Sequence, residues 1–313
     1  MRRFLTRQTF KGLYAVLPTP FDRGGRLSRS LFSRMLETVA RFGIDGVVLA
    51  GTYGEYFSLR EEEKLRMTEI AAQALEPTRI HLVVNGTALS LGEQIRLGRK
   101  LRDAGAQALM NLAPLSLTLT DAEYRNFWKR LADGVGDVGL VIYNLDNRSM
   151  PPSPQALLAV ARAVPSVCGT KEGHRDIERW HYVHTNSDIT AMPANDYQWM
   201  EYYKKGSCSF MTPSVGMSPP LACRIHKGYL DRQWKRTMPL QEVFVKLWDK
   251  CVADTTLLAG FGGIARYKAV CKALGWIDPG CCRPPLIDVP QDIQLRLNRD
   301  IEQEFPEYCR TDR

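Results

Sequence analysis

The chain lacks any apolar run of 18 residues or more, so no membrane-spanning helix is expected. It has eight cysteines but no C-x-x-C pair, and the adjacent Cys281 and Cys282 do not have a zinc-ligand spacing. In a chain of 313 residues this pattern predicts reduced thiols and no metal site. The basic residues at positions 2, 3 and 7 are not followed by an apolar stretch, so no secretory signal is read and a cytoplasmic location is expected. No block of five or six like charges occurs. The excess of 42 Lys and Arg over 34 Asp and Glu is scattered, which favours small anionic partners such as carboxylates. Nucleic-acid motifs are absent. Histidine is scarce. His174, His181 and His184 cluster without an acidic partner at ligand spacing and read as surface residues. Also missing is a glycine-rich turn after the first apolar segment: Pro18-Thr19-Pro20 stands there, which disfavours an open dinucleotide-binding sheet.

What the chain does have is a rhythm. Short apolar segments at 13–21, 45–51, 80–86, 108–114, 139–145, 167–173, 189–193 and 208–212 read as strands. Between them, helical patterns fall at 27–41, 59–75, 90–104, 120–131, from 154, at 177–184 and at 196–205. Thr120-Asp121-Ala122-Glu123 has the form of a capping box, and Glu61-Glu62-Glu63-Lys64 reads as a solvated helix start. Strands apolar throughout fit a parallel sheet covered on both faces, and eight such units predict an α/β fold, a closed (β/α)8 TIM barrel. The barrel is expected over 1–218. A C-terminal helical extension is expected over 219–313, with helices at 232–253, 256–274 and 290–304. Trp128, Trp180, Trp199, Trp234 and Trp248 lack the spacing of a stacking platform and are expected to pack helices. Gly262-Gly263 reads as a cap or a close contact.

Lys171 lies in one of the buried-strand segments, Val167-Cys168-Gly169-Thr170-Lys171-Glu172-Gly173. Burying an ammonium is costly unless it finds a partner or loses its proton, and a neutral lysine is a nucleophile towards ketones. Taken alone, a lysine at a strand end with its head in water is the ordinary arrangement. Two other polar features fall at the same ends of the strands, where barrels of this type carry their active sites. Strand two ends in Gly51-Thr52-Tyr53-Gly54-Glu55, and strand five in Tyr143-Asn144-Leu145-Asp146-Asn147-Arg148. Strands five and six are neighbours about 4.8 Å apart, which allows Tyr143 to approach Lys171. Tyr143 is therefore the candidate proton shuttle, and Thr52 would hold its phenol. The backbone of Thr52 and Tyr53 suits a carboxylate, with Gly51 and Gly54 permitting close approach. Glu172 alternates away from the barrel interior and receives no role.

These residues resemble the dihydrodipicolinate synthase / N-acetylneuraminate lyase family of class I, Schiff-base aldolases. The resemblance spans roughly 12–285 and rests on Leu17-Pro18-Thr19-Pro20-Phe21, Gly51-Thr52-Tyr53-Gly54-Glu55 and Tyr143-Asn144. It also rests on Gly169-Thr170-Lys171-Glu172 at a 28-residue step from Tyr143, and on Arg283-Pro284-Pro285. It implies Lys171 as the imine-forming residue, Tyr143 as proton shuttle, and Thr52 with Tyr53 on the carboxylate of a 2-keto acid. It implies Arg148 on a second carboxylate and Met211 on the strand lining the pyruvate pocket. The imine on Lys171 replaces any separate cofactor, and a homotetramer or dimer is implied.

The chain departs from the family's lysine-pathway synthases at Tyr53, where a second threonine is usual. It departs again at Pro114-Leu115-Ser116-Leu117, which lacks their tyrosine, Ser116 being the candidate replacement. Asp146 stands where proline is common, and Ser207-Cys208-Ser209-Phe210 replaces a glycine-rich run. The expected function is cleavage or formation of a C–C bond between pyruvate and an aldehyde. The alternatives are a 2-keto acid dehydratase or hydratase-aldolase using the same imine, and an inactive barrel that binds or regulates.

Overall fold

The computed structural model describes residues 4–114, 117–145, 152–253 and 257–310. Eight parallel strands are present: β1 (Leu13–Val16), β2 (Gly46–Leu49), β3 (His81–Asn85), β4 (Ala108–Asn111), β5 (Gly139–Asn144), β6 (Val167–Glu172), β7 (Thr190–Pro193) and β8 (Phe210–Thr212). They pair in the order β7-β6-β5-β4-β3-β2-β1-β8, a nearly closed barrel whose two ends are β7 and β8. The intervening helices are α1 (Arg29–Ala40), α2 (Glu61–Leu75), α3 (Leu91–Asp103), α4 (Asp121–Val135), α5 (Pro154–Ala163), α6 (Ile177–Asn186) and α7 (Trp199–Lys204). The Thr120 capping box is formed at α4, its hydroxyl accepting from the Glu123 N–H.

After β8 come α8 (Pro213–Met217), α9 (Pro219–Leu230), α10 (Trp234–Val252), α11 (Gly263–Leu274) and α12 (Gln291–Glu304). The C-terminal extension thus holds a helix that the sequence reading passed over. Pro219 and Pro220 open it: the first turn of a helix needs no N–H donors there, and proline fits it. The expected helix over 256–274 begins only at Gly263, with Gly262 as its N-cap.

Two apolar layers follow from strand alternation. Outward side chains such as Leu13, Val47, Leu82, Leu109, Leu140 and Ile142 pack under the helices. Inward ones, including Tyr14, Val48, Val83, Met110, Val141, Cys168, Met192 and Met211, fill the barrel. Trp128, Trp180 and Trp199 are fully buried, as helix packing requires. The end of the barrel at the strand N-termini is closed by the first residues of the chain. Leu5 donates its N–H to the Gln107 carbonyl at 2.9 Å, and Phe10 sits edge-on to Tyr14 with ring centroids 5.2 Å apart. A side chain at Gly169 would come within 2.4 Å of the Phe10 ring, so this strand position needs glycine. The strand ends at the other side of the barrel border a cavity.

Candidate active site

β5 and β6 set the central pair. Leu140 aligns with Val167 but Val141 aligns with Gly169, so one extra residue bulges out of β6 at Cys168. Beyond the bulge, Tyr143 stands opposite Lys171. Both are buried, and the Lys171 Nζ lies over the face of the Tyr143 ring, 4.7 Å from its centroid. Lys171 makes no ion pair among the described residues. The Tyr143 hydroxyl is 3.0 Å from the Thr52 Oγ1. The sequence reading placed these three together, and they are together.

The turn after β2 is built tightly. Gly54 and Tyr56 donate their N–H groups to the Gly51 carbonyl at 3.0 and 3.2 Å, and Glu55 donates to the Thr52 carbonyl at 3.0 Å. Ala50 and Glu55 hold φ at 52° and 55°, the left-handed region, which for non-glycine residues costs about 1–2 kcal/mol each. Other contacts must hold this turn in place. The buried Glu55 carboxylate pairs with Lys268 of α11 at 2.6 Å and accepts from the Arg283 N–H at 3.0 Å. Lys268 also donates to the carbonyls of Thr19 and Cys281 at 2.8 and 2.6 Å.

Arg283 forks onto Glu63 at 2.7 and 2.8 Å, donates to the Ser58 carbonyl at 2.7 Å, and lies over the Phe21 ring. These bonds to Arg283, which outweigh the opposing effect of burial, hold the Glu63 carboxyl at about 2. The acidic start of α2 is therefore not fully solvated as expected: Glu63 and Lys64 are buried, and burial lowers Lys64 to about 8. Arg283, the first residue of the Arg283-Pro284-Pro285 run singled out by resemblance, ties the C-terminal segment to the turn after β2 and the start of α2.

The cavity above the strands has a volume of about 600 Å3. Thr52, Tyr53, Tyr143 and Lys171 line it together with Arg175, Asp196, Trp248 and Ile264. Gly51 is buried in the wall behind the turn. The Tyr53 ring packs on Trp248 and Tyr267, with centroids 5.6 and 4.9 Å away, so its side chain is a joint between the barrel and the C-terminal helices. Met211 lies in the inner layer of the barrel, paired with Tyr14, and the β8 end of the cavity is lined by Pro213 instead. Arg148 and Asp146, like Leu115 and Ser116, lie outside the described residues.

Sequence reasoning missed Asp196. It expected a helix over 196–205, whereas α7 begins at Trp199, which leaves Asp196 in the loop after β7. Asp196 is 2 % exposed and lines the cavity. The Ser214 hydroxyl donates to it, and the Thr212 Oγ1 lies 2.5 Å from the Ser214 Oγ. Burial pushes its carboxyl up to about 6, against the opposing effects of the Ser214, Thr212 and Trp199 hydrogen bonds and of the Lys171 charge.

His174 was also misjudged. It is 3 % exposed, bonded to the buried Glu172 carboxylate on the outer side of β6, and Asn144 and Thr170 bond the same carboxylate. Burial is the largest effect on Glu172 and opposes its ionisation, but the His174 bond and charge, the Thr170 hydroxyl and the Arg179 charge together outweigh it and hold the carboxyl below its ordinary value. The network braces β5 and β6 directly behind Tyr143 and Lys171. No group of three or more His, Cys, Asp or Glu among the described residues is arranged to hold a metal ion.

The model of the Dihydrodipicolinate synthetase family matches residues 9–304. The 4-hydroxy-tetrahydrodipicolinate synthase of Salinibacter ruber is 23 % identical over 273 residues, covering 86 % of this chain and 87 % of the relative. A protein of Rhizobium rhizogenes named "Probable 5-dehydro-4-deoxyglucarate dehydratase" is 23 % identical over 303 residues, covering 95 % and 97 %. The sialic acid aldolase of Ruminococcus gnavus, solved as a catalytic lysine mutant, superposes with a TM-score of 0.85 at 17 % identity. That superposition covers 98 % of this chain and 100 % of the aldolase.

Proposed function

The chain belongs to the dihydrodipicolinate synthetase family, whose members are lyases of the class I aldolase type, and from that premise we propose that it makes or breaks a C–C bond between pyruvate and an aldehyde through an imine on Lys171. The single observation that carries this reading is the buried Lys171 amine over the Tyr143 ring, with the Tyr143 hydroxyl 3.0 Å from Thr52, at the floor of a cavity at the strand ends.

In this reading the Lys171 Nζ attacks the C2 carbonyl carbon. The carbonyl oxygen leaves as water and an imine forms. C3 then loses a proton to give an enamine. C3 of the enamine bonds to the aldehyde carbon while the aldehyde oxygen takes up a proton. Water adds to the imine and frees product and amine, and cleavage runs the same steps in reverse. Tyr143 and Thr52 move the protons at the amine and the leaving oxygen. The Gly51–Gly54 turn holds the substrate carboxylate. Assembly of the chain into a dimer or tetramer belongs to the same reading and is checked by sedimentation.

Asp196 favours a second reading on the same imine. A carboxyl that holds its proton up to about 6 is suited to protonate a leaving hydroxyl, which would make the reaction a dehydration. The test is pyruvate with borohydride, followed by peptide mapping. A reduced adduct on Lys171 is expected, and its absence would sink both readings. Release of pyruvate from 4-hydroxy-2-oxo acids supports C–C cleavage, whereas loss of water with an intact carbon skeleton supports dehydration.

A further inference from the structure

The turn from Ala50 to Glu55 begins and ends on a non-glycine residue in the left-handed region, with φ at 52° and 55°. L side chains avoid that region, so the turn relaxes unless contacts from outside fix both ends. Its shape matters because the backbone between those ends is the part suited to a substrate carboxylate.

The outside contacts converge on one buried amine. Lys268 of α11 is 1 % exposed, and an ammonium has three N–H donors. Three acceptors meet it, each on a different segment: the Glu55 carboxylate at 2.6 Å, the Thr19 carbonyl at 2.8 Å and the Cys281 carbonyl at 2.6 Å. Thr19 passes the hold on, since its own hydroxyl donates to the Gly54 carbonyl at 2.6 Å. Lys268 therefore grips the turn twice, through the Glu55 side chain and through Thr19 onto Gly54. The neighbouring Tyr267 supports the same turn: its ring packs on Tyr53 at 4.9 Å, and its hydroxyl donates to the Pro213 carbonyl at 2.9 Å. A buried ion pair is weak evidence of stability, and its best-attested use is to specify one arrangement of the chain.

We infer that Lys268 is a positioning residue for the substrate carboxylate. From behind the cavity wall it fixes the backbone of the Gly51–Gly54 turn in the shape that receives that group. The inference rests on the reading of this turn as the carboxylate site.

Hydrogen exchange tests the hold without any chemistry. Gly54, Glu55 and Tyr56 donate their N–H groups within the turn. In the full chain carrying Lys268→Met these amides are expected to exchange about tenfold faster or more, with those of β5 and β6 unchanged. That variant leaves a buried carboxylate without its cation, so Glu55→Gln is measured beside it; it keeps the side chain's shape and an acceptor for the Arg283 N–H. Adding Ala50→Gly removes the left-handed penalty at that residue and is expected to restore part of the protection in either background. Unchanged exchange at these three amides in both variants overturns the proposal.

The second measurement compares pyruvate with pyruvamide, which has the same shape and no charge. Binding is read by ligand-detected NMR on the Lys171→Ala chain, where no imine can form. Pyruvate is expected to bind about tenfold tighter or more than pyruvamide, and the ratio to fall towards one when Lys268→Met or Glu55→Gln is added. A general loss of stability weakens both ligands alike and leaves the ratio unmoved. A ratio retained in both variants overturns the role of Lys268. A ratio near one with Lys268 in place overturns the carboxylate reading of the turn and the proposal with it. A failure of borohydride trapping counts against the imine on Lys171 alone, because neither measurement uses it.

Discussion

Replacing Asp196 by asparagine should stabilise the protein at neutral pH and above, and not in acid. The carboxyl is 2 % exposed, and burial raises it from an ordinary 3.8 to about 6. A raised carboxyl favours the protonated folded state, so its contribution to stability is fully present below about 3.8 and is lost as pH rises through about 6. The gap of about two pH units corresponds to roughly 3 kcal/mol once the group is fully ionised. Asparagine keeps an acceptor for the Ser214 hydroxyl and does not titrate. Urea unfolding of both proteins at pH 4, 6 and 8 should give curves that nearly coincide at the lowest pH. The Asp196→Asn protein should become more stable by roughly 3 kcal/mol at the highest. The same substitution should lower turnover, because the group that is costly to ionise is also the group suited to exchange a proton in the cavity. A stability difference that stays constant across this range would refute the reasoning, since only titration of the buried carboxyl makes it vary with pH.

Tyr143→Phe keeps the ring under the Lys171 amine but removes the hydroxyl 3.0 Å from Thr52. Single-turnover trapping with borohydride should show imine formation slowed by about 100- to 10,000-fold, and a wild-type rate would remove Tyr143 from proton transfer. Arg283→Ala takes the bidentate partner from the buried Glu63 carboxylate, leaving it only Arg60 at 3.6 Å, and releases the Ser58 carbonyl, so denaturant unfolding at pH 7 should show a loss of roughly 3 kcal/mol. Arg283 holds Glu63 at about 2, so this deficit should shrink as pH falls from 4.5 through about 2, and a deficit unchanged at low pH would assign the loss to packing instead.

The strand–helix alternation was legible because β-strands covered on both faces are apolar throughout, and that signal needs no knowledge of the partner strand. The Tyr143–Lys171 pair was legible for a related reason: consecutive parallel strands are neighbours, so a fixed sequence step becomes a fixed register. The step works only with the bulge at Cys168, which the sequence does not announce. Asp196 was lost to a helix boundary placed three residues too early. His174 was read as exposed because its partner carboxylate, two residues earlier, faces the buried outer side of the strand.

By itself the sequence determined the barrel, the side of the sheet that carries chemistry, and the lysine, tyrosine and threonine at its centre. These follow from periodicity and from the chemistry of single residues. Only the tertiary structure decided what surrounds them. Trp248 and Ile264 reach the cavity from helices remote in sequence, Lys268 and Arg283 brace the strained turn after β2, and the cavity extends from Lys171 to Arg175. Such contacts depend on how the C-terminal helices dock across the barrel mouth. Docking is fixed by the complementarity of distant surfaces, which no local pattern of residues encodes.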